Sequence, residues 1–487
     1  MGTNNTKQAA WIAIGSLFSF GFGIISSMIL SRYFNKPDYG TYKQVMYVYN
    51  TLLTVFTLGL PRAYSYFLPR VPLNQSRQLI KKISTIFIVL GLVFSLFLFS
   101  FAGVIAKVLN NEDLTIALRI FSVVPTLLLP TMGLEGILAT YKKSMYMAFY
   151  TIATRIVMLI SVIVPVCFFH GGYVEAIIGF VFSSFISFAL ASYLKYLPIK
   201  NEDKEKCSVT IKEIFNFSIP LLTASIWGVI ITSADQFFVS RYFGSEVFAD
   251  FSNGNMDMPF IGMIIGATST VLSPIFSKMS NDNVDPKKQI LPLWQSVFEK
   301  SAKIVFPLVL YCMVFADLIM VFLYGQQYEL SKNYFRIRLI TNFFTIIAFA
   351  PLLINVGKVR FYSNVQLIGA IILVLLEFLS VKLFSSPYLI SWISTLCTIG
   401  RIVVMLIAIA RMFSFNIKEL IPFGLMMKLL IPPTIMLLAI RFLLENINTF
   451  NALVMLIISA AIYGVLFLLY SYVVKLDYVS ILKSLRK

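Results

Sequence analysis

Apolar stretches of about 20 residues recur along the whole chain, and short polar segments separate them. A helix of about 20 residues rises roughly 30 Å, which matches the hydrocarbon core of a bilayer. The pattern predicts fourteen transmembrane helices, or twelve if the two least apolar stretches, 247–275 and 332–356, do not cross the membrane. The predicted spans are 9–33, 41–60, 83–106, 114–139, 144–168, 173–196, 214–241, 247–275, 303–324, 332–356, 361–384, 388–412, 421–442 and 449–474.

The composition agrees with a membrane protein. Hydrophobic residues make up 58% of the 487 residues and charged residues 13%, whereas soluble proteins carry roughly 25% charged residues. A soluble protein of this length would need far more charge on its surface. These figures exclude a soluble enzyme, a disordered chain and a disulfide scaffold, and they predict an all-α, multi-pass membrane protein.

Basic residues outnumber acidic ones by 40 to 22, which gives a net charge of +18. They lie in short loops between apolar stretches and form no basic face, so we expect no nucleic-acid partner. If the N-terminus is cytoplasmic, most of these loops lie on the inner side, and the positive-inside rule therefore places both termini in the cytoplasm. This assignment counts Lys195 as an inner-loop charge and Lys43 and Lys107 as outer ones.

The chain offers little for catalysis or metal binding. His170 is the single histidine, and Cys167, Cys207, Cys312 and Cys397 form no metal or redox motif, which argues against a zinc site or a Ser-His-Asp triad. No hydrophilic segment is longer than about 25 residues, so there is no room for an extramembrane catalytic domain. We expect no enzyme activity, no metal and no cofactor.

A short sequence repeat suggests how the helices are grouped. The tetrapeptide Ser31–Phe34 ends the first predicted helix, and the same four residues, Ser240–Phe243, end the seventh. The repeat predicts two six-helix lobes with the same orientation, related by a pseudo-twofold axis along the membrane normal. The predicted parts are an N-terminal lobe at 1–197, a cytoplasmic linker at 198–212, a C-terminal lobe at 213–413, and two further helices with a cytoplasmic tail at 414–487.

Charged residues inside predicted spans are candidate functional residues, because an ionisable group in the bilayer costs several kcal/mol. Arg155 lies near the middle of the fifth span, on the same helical face as Thr151. Asp235 continues a polar face of the seventh span that includes Ser225 and Thr232. Such faces line a wet cavity or form hydrogen bonds between helices, and both interpretations stay open for Arg155 and Asp235.

The other candidates have simpler alternatives. Arg32 and Arg241 each close the first helix of a lobe, where a cation also stabilises the helix dipole. Arg62 and Glu135 lie near helix ends, from which long side chains reach the interface. Asp257 is a further intramembrane carboxylate.

Several short motifs carry a resemblance to a known family. The chain resembles the polysaccharide-exporter branch of the multidrug/oligosaccharidyl-lipid/polysaccharide (MOP) flippase superfamily, the Wzx-type O-antigen flippases. The motifs are Ser31–Phe34, Pro37–Tyr42, Gly59–Ala63, Ser218–Leu221 with Asp235 and Gln236, Leu323–Gly325, and Gly357 with Lys358.

This resemblance implies a MATE-like fold and export of oligosaccharide units linked to undecaprenyl pyrophosphate across the bacterial cytoplasmic membrane. It implies that Arg32, Arg62, Arg155 and Arg241 hold the pyrophosphate in a cavity. Membrane lipid is a further expected partner. Coupling to protons or sodium is left open, and its candidate residues are Asp235, Asp257 and Glu135.

Two other functions are weighed against a flippase. A multidrug/cation antiporter of the same fold would need an anionic cavity for its cationic substrates, and the arginine-rich candidate set argues against it. A membrane O-antigen polymerase or ligase resembles chains with one long outer loop that bears catalytic groups, and no predicted outer loop is long here.

Overall fold

The computed structural model describes residues 2–200, 205–258, 261–266, 286–346, 349–355, 357–445 and 451–478, which are almost entirely α-helical. Within these residues nine helical segments are long and apolar enough to cross a bilayer when the broken segment Leu114–Thr140 is counted as one, or eleven if each of two bent helix pairs is also one span. The predicted all-α, multi-pass class is confirmed. The count of fourteen stays a prediction, since the span 247–275 lies partly outside the described residues and the helix at 41–60 is not among the nine.

The chain divides into two compact units, Met1–Ala249 and Asp250–Lys487. The helices that begin in the first unit are α1 (Gly2–Tyr33), α2 (Lys36–Phe56), α3 (Pro61–Phe67), α4 (Leu73–Val108), α5 (Leu114–Phe121), α6 (Val124–Leu128), α7 (Leu134–Thr140), α8 (Ser144–Phe169), α9 (Tyr173–Tyr196) and α10 (Ile211–Gly254).

Aromatic side chains form much of the core of the first unit. Phe94 of α4 stacks on Tyr49 and Phe56 of α2, with ring centroids 5.9 Å and 4.3 Å apart. Phe121 of α5 lies 5.2 Å from Tyr49 and 5.3 Å from Phe180 of α9. Because offset and edge-on aromatic pairs are favourable beyond the area they bury, these contacts fix α2 among α4, α5 and α9.

Two prolines and a glycine break the predicted span 114–139 into α5, α6 and α7. Pro125 lies at the start of α6, and Pro130 lies in the 3₁₀ turn Leu129–Thr131 that follows it; neither has an N–H to donate within a helix. Gly133 has a φ of 82° just before α7, and a Cβ there would overlap the ring of Tyr64. The short turns leave this segment free to shape a cavity wall.

Polar side chains join α10 to α2 within the first unit. The side-chain amide of Gln44 donates to Ser240 Oγ at 2.7 Å, and both residues are fully buried. The Tyr47 hydroxyl donates to the carbonyl of Ser233 at 3.2 Å. In a low-dielectric interior these paired groups fix the register of the two helices, because leaving either group unpaired is unfavourable.

The seventh span is predicted to end at 241, and the structure has a break three residues later. Gly244 is non-helical, with a φ of 80°, and it separates two helical parts of α10. Next to this break, the carbonyl of Ser245 approaches Gly40 of α2 so closely that a Cβ at Gly40 would overlap it. The absence of a side chain at Gly40 allows the two backbones to meet, and hydropathy alone carries no signal for that contact.

The second unit is also a helical bundle. The helix Phe423–Glu445 packs on Pro286–Val314 and on the last described helix, Ala452–Val473. Arg441 holds the carboxylate of Asp317 in a two-pronged ion pair at 3.2 Å and 2.6 Å. The described helices of this unit are Pro286–Val314, Ala316–Tyr324, Ser331–Ile340, Phe349–Asn355, Val359–Leu383, Pro387–Phe413, Ile417–Leu420, Phe423–Glu445 and Ala452–Val473.

The two compact units and the two predicted lobes divide the chain at different places, because packing defines the units and a sequence repeat defines the lobes. The first unit includes α10 up to residue 249 because that part of α10 packs on α2. The lobes at 1–197 and 213–413 rest on a sequence repeat, which the packing within each unit does not test. They stay a prediction, as does a cavity between them.

Candidate functional site

A cavity of about 630 Å³ lies within the first unit, between α2, α8, α9 and the broken segment from α6 to α7. This volume is in the range of small-molecule binding sites. Its described lining consists of Met46, Tyr49, Asn50, Leu53, Leu128, Thr131, Met132, Gly133, Leu134, Glu135, Met147, Tyr150, Thr151, Thr154, Arg155, Met158, Phe180, Ser183, Ser184 and Ser187.

Among the described residues that line the cavity, Arg155 is the one that carries a positive charge, and it projects from the middle of α8. Its Nη1 atom lies 3.5 Å from the sulfur of Met158. Among the described residues no carboxylate lies within 4.0 Å of the guanidinium. A guanidinium has five N–H donors in a fork that fits phosphate or carboxylate, so the side chain is available for an anionic ligand.

Hydroxyl groups line the α9 side of the cavity. Ser183 and Ser184 both donate to the carbonyl of Phe180 at 2.8 Å, and Ser187 donates to the carbonyl of Ser183 at 2.8 Å. On α8, Thr154 donates to its own helix in the same way. Because their protons are already used, these hydroxyls offer oxygen lone pairs, which accept hydrogen bonds from the hydroxyl groups of a sugar.

Glu135 is the carboxylate of the described lining and lies in the first turn of α7. It is exposed, and the structure records no ion pair between it and Arg155. The cavity therefore presents one positive and one negative group that do not neutralise each other by contact.

The other predicted arginines lie elsewhere in the first unit. Arg32 is exposed in the last turn of α1, and Arg62 is exposed in the first turn of α3. Arg241 donates to the carbonyls of Lys107 at 3.0 Å and Val108 at 2.5 Å, at the C-terminus of α4. This contact with a helix end other than its own favours a structural role for Arg241, since a cation there satisfies free carbonyls and the helix dipole.

The two remaining ion-coupling candidates are also outside the described lining. Asp235 is 4% exposed within α10. Asp257 belongs to the second unit, is largely exposed, and pairs with Arg338 at 2.6 Å. That the predicted site residues bind substrate or ions stays a prediction for all of them.

Sequence reasoning missed Lys195, which it assigned to an inner loop. The structure places this residue in the last turn of α9, where only 3% of it is exposed. A signal was present in the sequence, because Lys195 follows Ser187 by eight residues and so shares its helical face. A count of charges for topology treats any lysine near a span end as a loop residue.

The fold and the cavity define the class of the protein: a multi-pass membrane protein with the fold of MOP-superfamily transporters. The structure resembles that of a lipid II flippase, MurJ, in an inward closed conformation, with a TM-score of 0.72 over 96% of this chain and 99% of that one at 15% identity. It also resembles an inward-facing MATE multidrug resistance transporter, with a TM-score of 0.65 over 84% of this chain and 98% of that one at 12% identity.

A third similar structure is a MOP-superfamily transporter from Pyrococcus furiosus, with a TM-score of 0.59 over 84% of this chain and 95% of that one at 12% identity. At these identities the likeness concerns the fold. Residues 29–333, well over half of the chain, match the family described as "Polysaccharide biosynthesis protein", and the chain belongs to that family. No curated protein sequence matches it. The predicted resemblance is confirmed at the level of a polysaccharide biosynthesis family and a MATE-like fold.

Proposed function

We propose that this protein is a flippase for oligosaccharide repeat units linked to undecaprenyl pyrophosphate. It moves them from the inner to the outer leaflet of the bacterial cytoplasmic membrane by alternating access, for O-antigen, capsule or exopolysaccharide synthesis. Both termini lie in the cytoplasm. The family and the similarity of the fold to a lipid II flippase support a lipid-linked substrate.

The observation that carries the proposal is Arg155 in the cavity without a carboxylate within 4.0 Å among the described residues. An unneutralised cation in a membrane segment is unfavourable, and such residues mark substrate pathways. A pyrophosphate supplies the missing negative charge and accepts charge-assisted hydrogen bonds from the guanidinium. The serine and threonine oxygens and the rings of Tyr49 and Phe180 offer contacts for the attached sugars.

The membrane potential favours this direction of transport. A sugar–pyrophosphate headgroup cannot enter hydrocarbon without losing its hydration, whereas a polyprenyl tail remains in the lipid. With the cell interior negative, outward movement of each negative charge is favoured by ~2.3 kcal/mol per 100 mV. Glu135 lies in the cavity and is the leading candidate if a proton or sodium gradient adds to this force, ahead of Asp235 and Asp257.

The experiment that tests the proposal is depletion of the protein in its host. We expect lipid-linked repeat units to accumulate in the inner leaflet, measured by their inaccessibility to a glycan-cleaving enzyme added outside spheroplasts. Re-expression of the wild-type chain is the control and should restore surface glycan. Normal surface glycan in a clean deletion without a second copy of the gene would refute the proposal.

One observation favours a second candidate, a multidrug/cation antiporter. Glu135 places a carboxylate in the cavity, and carboxylates bind cationic substrates. The antiporter predicts that deletion raises sensitivity to cationic drugs and slows efflux of a fluorescent cation. The flippase predicts that both stay unchanged while surface glycan is lost.

A further inference from the structure

A second buried cation lies behind the wall of the cavity. Lys195, on α9, is 3% exposed. Its ammonium group donates to Ser84 Oγ of α4 at 3.0 Å and to the carbonyl of Pro130. It also lies 5.8 Å from the centroid of the Tyr64 ring, and the Tyr64 hydroxyl shares a hydrogen bond with the same Ser84 oxygen at 2.8 Å.

These contacts place the ammonium next to the cavity without making it part of the described lining. Pro130 precedes Thr131, which lines the cavity, and both belong to the turn that breaks the helical span. On α9, Ser187 lines the cavity two turns before Lys195 on the same helical face. The ammonium therefore contacts Pro130, the residue directly before Thr131 of the cavity wall.

The hydrogen bonds of Lys195 do not explain its charge. A carbonyl and a hydroxyl can be satisfied by a neutral donor such as a glutamine amide. Among the described residues no carboxylate lies within 4.0 Å of the ammonium. A buried charge without an ion-pair partner lowers stability by several kcal/mol. A purely structural role therefore does not explain why this position carries a charge.

We propose that Lys195 is a specificity-determining residue that acts on the ligand through its electric field and favours pyrophosphate over less charged headgroups. The inference rests on the proposed function. Arg155 can contact the headgroup directly, whereas Lys195 acts from behind the wall. Its contribution therefore scales with the charge of the ligand rather than with the hydrogen bonds the ligand makes.

The test uses the full-length protein in nanodiscs and three probes with the same short prenyl tail: farnesyl pyrophosphate, farnesyl monophosphate and farnesol. Lys195→Gln keeps a donor and removes the charge. At pH 7 a phosphate monoester carries nearly two negative charges and the pyrophosphate about one more. If each ligand charge accounts for about threefold in affinity, the monophosphate should bind about tenfold and the pyrophosphate about 30-fold more weakly, while farnesol is unchanged. Lys195→Arg keeps the charge and should keep the wild-type order of affinities.

A second variant leaves the lysine in place. Ser84→Asp puts a carboxylate beside the ammonium, since the two side chains are already 3.0 Å apart. Neutralising Lys195 in this way should remove the preference for pyrophosphate to a similar extent. It keeps the proposal testable even if Lys195→Gln does not fold, which thermal unfolding of each variant will show.

An equal loss of affinity for all three probes would show a purely structural role for Lys195 and overturn the inference. Wild-type preference retained in both Lys195→Gln and Ser84→Asp would overturn it too, while leaving the flippase proposal intact. If the wild-type protein binds farnesyl pyrophosphate no more tightly than farnesol, both the inference and the proposed function are refuted.

Discussion

Replacement of Arg155 by methionine separates a substrate-binding cation from a structural one. Methionine keeps most of the length and apolar contact of the side chain and removes its charge and donors. Without a carboxylate within 4.0 Å among the described residues, Arg155→Met leaves no orphaned acid behind. We expect the free energy of unfolding to stay the same or to rise, because an unneutralised charge is removed from a membrane segment, whereas loss of one partner of a buried ion pair lowers it by about 3–5 kcal/mol.

Ligand binding should respond differently from stability. A hydrogen bond to a charged group contributes about 1.5–3 kcal/mol, which corresponds to about a 10- to 150-fold loss of affinity. The assays are binding of farnesyl pyrophosphate in nanodiscs, thermal unfolding, and recovery of surface glycan in the deletion strain. Arg155→Lys should recover part of the affinity, because an ammonium keeps the charge but loses the fork of donors.

Arg241→Met is the matched control. Arg241 donates to the last carbonyls of α4, so its loss should lower the free energy of unfolding by about 0.3–1 kcal/mol and leave binding of farnesyl pyrophosphate unchanged. If Arg155→Met instead unfolds with a loss of 3 kcal/mol or more while the affinity persists, the assignment of Arg155 to substrate binding is refuted.

Two further substitutions test the packing of α10 and the charge of the cavity. In Gly40→Ala the new methyl overlaps the carbonyl of Ser245, so thermal unfolding should show a loss of about 1–3 kcal/mol. Gly103 also lies within a helix but has open space at its Cβ, so Gly103→Ala should be neutral or stabilise by up to about 1 kcal/mol. Equal stability of the two variants would contradict the close approach. Glu135→Gln removes the negative charge of the cavity lining, so farnesyl pyrophosphate should bind about three- to tenfold more tightly, while glycan export slows. Weaker binding of farnesyl pyrophosphate would contradict this expectation.

The sequence predicted the fold well because the bilayer fixes the length and polarity of each helix. It also singled out Arg155, since a charge in the middle of an apolar stretch stands out by position alone. It could not show which role Arg241 has, because only the folded chain shows that Arg241 reaches the end of α4. Lys195 was missed for a related reason: its burial depends on Ser84 and Pro130, which are distant in sequence.

In the proposed function, the charges around the cavity have to balance the affinity for the lipid-linked substrate against its release. A carrier must hold its substrate firmly enough to select it and loosely enough to let it go, as an ion pathway must. Arg155 and Lys195 supply two positive charges and Glu135 one negative charge, so these three described groups sum to +1. A pyrophosphate with two or more negative charges is attracted but not fully neutralised by that field. Incomplete neutralisation keeps the bound headgroup responsive to the membrane potential, which can then contribute to its outward movement.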